Sequence, residues 1–144
     1  MKRTALLFTA AIVLLSLNSC AKRGGGIVEL TPERIEKLAS CLTENGWIMY
    51  GKVGCSGCLA QEKGFGDSWS LIKYVECDPH EPGSEPERCL DRNIRKTPTW
   101  ILEIDGKEVR RIESYQLIED LARETGCAAK IDGLEELLAE PEAE

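Results

Sequence analysis

Seven cysteines in 144 residues narrow the folds open to this chain before anything else is read. Thiols at this density point to an oxidising compartment, a metal site or a redox centre. Two of the seven form Cys55-Ser56-Gly57-Cys58, a spacing shared by zinc ribbons, haem attachment sites and dithiol centres. No histidine follows Cys58, which argues against covalent c-type haem. Zinc takes four ligands, often as two close pairs, and only Cys55/Cys58 has that spacing. His80, the single histidine, sits in the acidic, proline-containing stretch Asp78-Pro79-His80-Glu81-Pro82-Gly83-Ser84 and reads as a solvated surface residue. No cofactor is expected.

The surroundings of the pair favour redox chemistry. Trp47-Ile48-Met49-Tyr50 reads as a short buried strand, broken by Gly51-Lys52-Val53-Gly54, and Leu59–Phe65 as one or two helical turns. The motif therefore closes a strand and opens a helix, where unpaired N–H groups and the positive dipole end lower a thiol pKa from about 8.5 towards roughly 3.5–7.5. One turn further on, Cys58 can reach back to Cys55. That geometry suits one attacking and one resolving thiol.

Elsewhere the local signals are capping and turn residues. Thr31-Pro32-Glu33 starts a helix carrying Ile35, Leu38, Ala39 and Leu42, and Asn45-Gly46 ends it. Leu71–Val75 reads as a second strand and Glu85–Asn93 as a short helix. Thr99–Ile104 and Lys107–Ile112 flank Asp105-Gly106, a strong hairpin signal. Ser114 is read as the cap of a last helix bearing Leu117, Ile118, Leu121 and Ala122, closed by Gly126. Beyond it, residues 129–144 form an acidic tail in which Leu134, Leu137 and Leu138 offer at most one docked turn. The order is α, then β-α-β-α-β-β-α. Trp47, Tyr50, Tyr74 and Trp100 alternate along expected strands and read as mostly core, with Trp100 a candidate wall of a substrate groove.

Residues 1–19 read as a leader: Lys2 and Arg3, then an apolar run from Ala5 to Leu17, too short for a spanning helix of about 20 residues. The run ends in Leu17-Asn18-Ser19-Cys20, which resembles a bacterial lipoprotein signal, the alternatives being an ordinary secretory signal or an uncleaved anchor with Cys20 incidental. Cleavage would leave Cys20 as a lipidated N-terminus, anchoring the chain to a bacterial membrane with its domain facing the periplasm or exterior. Residues 20–30, with Gly24-Gly25-Gly26, read as a tether, and 31–128 as the folded domain. A net charge of −7 and a pI near 4.9 leave no basic footprint for nucleic acid.

About forty residues after the cysteine pair, Thr97-Pro98-Thr99-Trp100 enters a strand, where a proline gives up no ladder hydrogen bond. CxxC with a distant proline at a strand head resembles the thioredoxin superfamily, and implies a three-layer α/β/α fold with a mixed four-stranded sheet, here with an extra N-terminal helix. Tyr50-Gly51, Cys55/Cys58, Tyr74-Val75-Glu76-Cys77-Asp78, Cys89, Pro98-Thr99-Trp100 and Leu121-Ala122…Gly126 resemble, in order, the thioredoxin-like domain fused to bacterial vitamin K epoxide reductase homologues. The resemblance covers roughly residues 32–127. It implies Cys55 as nucleophile, Cys58 as resolving thiol, Pro98 as a cis-proline facing the sulfurs, and the Thr97 backbone as a hydrogen-bonding edge for a substrate peptide. It also implies a structural disulfide between Cys77 and Cys89. The partners implied are protein thiols or disulfides and a quinone-linked membrane oxidase of the vitamin K epoxide reductase or DsbB-like type.

The chain departs from that pattern at Gly54, where many relatives have Trp, and at Ser56-Gly57, where many have Pro-His or a similar pair. The inner pair tunes the redox potential, and known dithiol centres span about −120 to −270 mV, so donor and acceptor roles both remain open. Met49 occupies the place where many thioredoxins keep a buried Asp that relays protons to the resolving cysteine, and Glu62, one turn beyond Cys58, is a candidate substitute. Cys41 and Cys127 stay open between a bridge clamping the domain termini, two buried thiols and a relay to the active pair. A disulfide-stapled binding lipoprotein without turnover and a metal-binding chaperone are the competing functions.

Overall fold

The computed structural model describes residues 30–139. The expected leader, Cys20 and most of the tether lie outside the described residues, as do residues 140–144. Helix α1 (Pro32–Glu44) opens as its sequence directs: Thr31 is extended and its hydroxyl accepts the Arg34 N–H at 3.4 Å. At its far end Gly46 adopts φ +92°, and a side-chain carbon there would lie 2.5 Å from the Glu103 carbonyl oxygen. Only glycine turns this corner.

Strand β1 (Trp47–Gly51) follows, then α2 (Ser56–Phe65), a 3-10 stretch over Gly66–Leu71, β2 (Tyr74–Glu76), α3 (Pro86–Asp91), β3 (Thr99–Ile104), β4 (Lys107–Glu113), α4 (Ile118–Glu124), a 3-10 turn at Ala128–Lys130 and α5 (Leu134–Leu138). The sheet order is β2-β1-β3-β4. β1 runs parallel to β2, with Met49 opposite Tyr74 and Gly51 opposite Glu76, and antiparallel to β3, with Tyr50 opposite Thr99. β3 and β4 pair antiparallel through the two-residue turn Asp105-Gly106, both at positive φ, as an Asp-Gly hairpin requires.

Alternation along β1 sends side chains to both faces. Trp47 and Met49 enter the larger core with residues of α1, α2, α4 and α5. Ile48 and Tyr50 meet Val75, Cys89 of α3 and Ile101 on the other face. The result is a three-layer α/β/α, thioredoxin-like fold with an N-terminal helix added. On the α3 face the Tyr50 hydroxyl donates to Glu103, whose carboxylate also takes Arg92 Nε at 3.0 Å and Nη2 at 3.2 Å.

Several local expectations give way to tertiary contacts. The second strand shrinks from Leu71–Val75 to Tyr74–Glu76, because Thr43 of α1 captures the backbone before it: its hydroxyl donates to the Leu71 carbonyl at 2.7 Å and accepts the Lys73 N–H at 3.3 Å. Ser114 does not cap a helix. It sits at φ +73°, its N–H donates to the Pro98 carbonyl at 2.8 Å, and α4 starts only at Ile118. The supposed acidic tail is folded as far as Leu138: Ile131, Leu134 and Leu138 are buried in the larger core while Glu135 and Glu136 face outwards, so a domain boundary at 128 would cut through that core. Trp47, Tyr50 and Trp100 are buried, and Trp100 packs on Phe65 at 6.0 Å rather than walling a groove. Tyr74 is 36% exposed. No helix of the described residues is long and apolar enough to cross a membrane.

Candidate redox site

Where β1 ends, Gly54 turns the chain at φ +72° and Cys55 becomes the N-cap of α2. Its sulfur accepts the Cys58 N–H at 3.3 Å, taking the place a capping oxygen usually fills. From the other side comes the loop before β3. The Thr97 hydroxyl donates to Cys55 Sγ at 3.3 Å, and Sγ lies 3.3 Å from the Thr97 carbonyl oxygen, to which the thiol can donate. The Thr97-Pro98 peptide is cis. Pro98 packs against α2 so closely that a side-chain carbon on Gly57 would lie 2.9 Å from its Cδ. Glycine inside the motif is therefore a requirement of proximity.

Cys55 and Cys58 are both free thiols, the first half-buried and the second buried. For Cys55, burial opposes the charged form, but hydrogen bonds from the Cys58 thiol, the Thr97 hydroxyl and the N–H groups of Cys58 and Gly57 outweigh it and lower the thiol. Burial, reinforced by the hydrogen bond to Cys55, pushes the Cys58 thiol up to about 11. The two sulfurs are thus differentiated into a thiolate former and a proton holder.

Cys58 opens onto a cleft of about 460 Å3 walled by α2, β2 and the loop after β2, with Lys52, Glu62, Tyr74, Glu76, Glu81 and Glu85 on its walls. Glu76 is firmly held there: it accepts the Tyr74 hydroxyl at 2.7 Å and the N–H groups of Asp78 at 2.8 Å and Val53 at 3.3 Å. Tyr74, whose strand position predicts a core residue, instead lines this cleft, and burial followed by the bond to Glu76 raises its pKa. The period-two spacing of Tyr74 and Glu76 on one strand is the signal that could have marked them as a pair. Glu62 stands on the same cleft and Met49 is fully buried.

The remaining described cysteines are bonded. Cys77 is joined to Cys89, tying the end of β2 to α3, and Cys41 to Cys127, tying the end of α1 to the segment after α4. The Asn45 amide donates towards both sulfurs of the latter, at 3.2 and 3.5 Å. His80 is exposed. Among the described residues no group of three or more His, Cys, Asp or Glu side chains is arranged to hold a metal ion. Gln61, which no motif in the sequence marks, is fully buried and accepts the Gln116 N–H at 3.0 Å, pinning the 114–117 loop beside Pro98.

The sheet order, the strand directions and a free thiol pair at the mouth of α2 define a thioredoxin-like α/β domain carrying a dithiol. No family model matches the chain. Among solved structures it is similar to thioredoxin from Aeropyrum pernix, at 13% identity and TM-score 0.45, over 67% of this chain and 82% of that one. It is also similar to a chain from the structural basis of the thiol resolving mechanism in yeast mitochondrial 1-Cys peroxiredoxin, at 18% identity and TM-score 0.40, over 69% of this chain and 89% of that one.

Proposed function

We propose that this protein is a thiol–disulfide oxidoreductase that exchanges disulfides with protein substrates through Cys55 and Cys58. The observation that carries this reading is the convergence on Cys55 Sγ of two donors, the Cys58 N–H and the Thr97 hydroxyl, at the half-exposed end of α2. In the reducing direction the Cys55 thiolate attacks a substrate disulfide, forming a mixed disulfide and expelling one substrate thiolate. Cys58 then attacks Cys55 Sγ, releasing the second substrate thiolate and leaving an oxidised Cys55–Cys58 pair. Both substrate sulfurs are reduced and both protein sulfurs oxidised; the reverse sequence oxidises a dithiol. Exposed apolar side chains at Val53, Leu59 and Tyr115 border the pair, a rim suited to unfolded or extended polypeptide.

The leader and Cys20 support an exported, lipid-tethered form, and the order of motifs supports a quinone-linked membrane oxidase as redox partner, which a lipid anchor would keep close. Insulin reduction, with the thiols followed by a mass-tagging alkylator, tests the exchange reaction: Cys55→Ser is expected to abolish turnover, and retention of turnover in that variant overturns the reading. For the tether, Cys20→Ala is expected to release the protein from the membrane fraction; membrane retention of that variant removes the lipid anchor from the proposal.

A further inference from the structure

In the exchange reaction proposed above, Cys58 must attack as a thiolate, yet it is 7% exposed and its thiol is pushed up to about 11. Its proton needs an acceptor as the sulfur attacks. Met49 cannot supply one. Strand β2 can. Tyr74 and Glu76 are alternate residues and so leave the same face of the strand, and the register sets Gly51 of β1 opposite Glu76. The Tyr74 hydroxyl donates to Glu76 Oε2 at 2.7 Å, and the N–H groups of Asp78 and Val53 hold Oε1. A side-chain carbon on Gly51 would lie 3.0 Å from the Tyr74 hydroxyl oxygen and 3.1 Å from Cys58 Sγ. Hydroxyl and sulfur therefore share the space a Gly51 side chain would fill, at most about 6 Å apart and so within the reach of one bridging water.

We propose that Tyr74 and Glu76 form the proton relay of the resolving step. As Cys58 attacks the mixed disulfide, its proton passes through one water to the Tyr74 oxygen, while the Tyr74 proton passes to Glu76. The Cys58 sulfur bonds to Cys55 and the substrate–Cys55 bond breaks. The departing substrate thiolate takes its proton back from Glu76 along the same path, so the relay ends as it began. Gly51 belongs to the device, because any side chain there would strike the Tyr74 ring at 2.7 Å.

The test is stopped-flow reaction of the reduced protein with an aromatic disulfide between pH 6 and 10, in which Cys55 attack releases one chromogenic thiolate and Cys58 resolution the second. With Tyr74→Phe or Glu76→Gln the first phase should be unchanged. The second should slow about 100-fold at pH 7, at the lower end of general-base effects, with a deficit that shrinks as pH rises and Cys58 ionises unaided. A purely electrostatic role for Glu76 has the opposite sign: removing a negative charge near Cys58 eases its ionisation and speeds the second phase. Gly51→Ala should reproduce the slow phase with both relay residues in place. The relay is overturned if the second phase keeps its wild-type pH profile in Tyr74→Phe and Glu76→Gln, or if Glu62→Gln changes it in their stead. The exchange reaction fails separately, by survival of the first phase in Cys55→Ser.

Discussion

Two cysteine pairs lie at opposite ends of two helices, and the contrast between them explains why one reads as a reagent and the other as a staple. Cys55 caps the N-terminus of α2, where backbone N–H groups point at its sulfur. Cys41 lies in the last turn of α1, where the carbonyls are; the Cys41 carbonyl itself accepts the Asn45 N–H at 3.0 Å. A helix N-terminus stabilises a thiolate, and a C-terminus does not. Access separates the pairs as well: Cys55 is half-exposed, whereas Cys41 is 8% and Cys127 0% exposed. The same kind of side chain is left as a free thiol at one end of the layer and used as a cross-link at the other.

The sharpest way to break that contrast is to remove the staple. Cys41→Ala with Cys127→Ala should cost about 4–5 kcal/mol of stability by the chain-entropy estimate for a closed loop of this length, read by urea unfolding, with turnover in insulin reduction retained at permissive temperature. A fall in turnover matching that of Cys55→Ser would erase the distinction between the pairs. Leu134→Ala comes next, at about 2–4 kcal/mol, since Leu134 is fully buried; a change near zero in the same unfolding experiment would return residues 131–138 to the status of a tail.

Acid provides a third probe, confined to the α3 face. Burial works against the Glu103 carboxylate, but Arg92 and Tyr50 hold its pKa below the ordinary carboxylate value. A depressed carboxylate contributes stability that is present above its unfolded pKa, about 4.3, and lost as pH falls through the folded value. Glu103→Gln should therefore narrow the stability gap to wild type as pH is lowered from 6 towards 3; a gap independent of pH would disconnect the ion cluster from acid unfolding. The smallest effect is expected at Thr97. Replacing it with Val removes the hydroxyl donor on Cys55 and raises that thiol's pKa, so alkylation at pH 6 should slow by a few-fold while rates at pH 10 coincide. Equal slowing at both pH values would point to lost packing in place of a lost hydrogen bond.

Much of this fold was legible without coordinates, and the reasons are local. Thr31-Pro32-Glu33 starts α1, Asn45-Gly46 ends it and Asp105-Gly106 turns β3 into β4, because each depends on dihedral preferences and hydrogen bonds within a few residues. The misreadings share a different cause. Leu71–Val75 looks like a strand by composition, but Thr43, some thirty positions earlier, takes its backbone groups. Ser114 looks like a cap, but Pro98 and Gln61 hold its loop out of the helix. Tyr74 looks like core because aromatic residues on strands usually are; it lies on the edge strand β2, 36% exposed, with its ring over Gly51, whose missing side chain makes the space.

From residue order alone came the class of the chain: a thiol pair poised between strand and helix, an acidic composition, and the succession of elements around them. Such features arise from neighbours in sequence, whose sterics and charges act whatever the rest of the chain does. Folding in three dimensions settled which cysteines are joined and which stay free, why Gly57 and Gly51 tolerate no side chain, and which side chains line the cleft beside Cys58. Those outcomes depend on segments from 12 to 86 residues apart meeting at atomic contact, and only the packing of strands and helices into one domain brings them together.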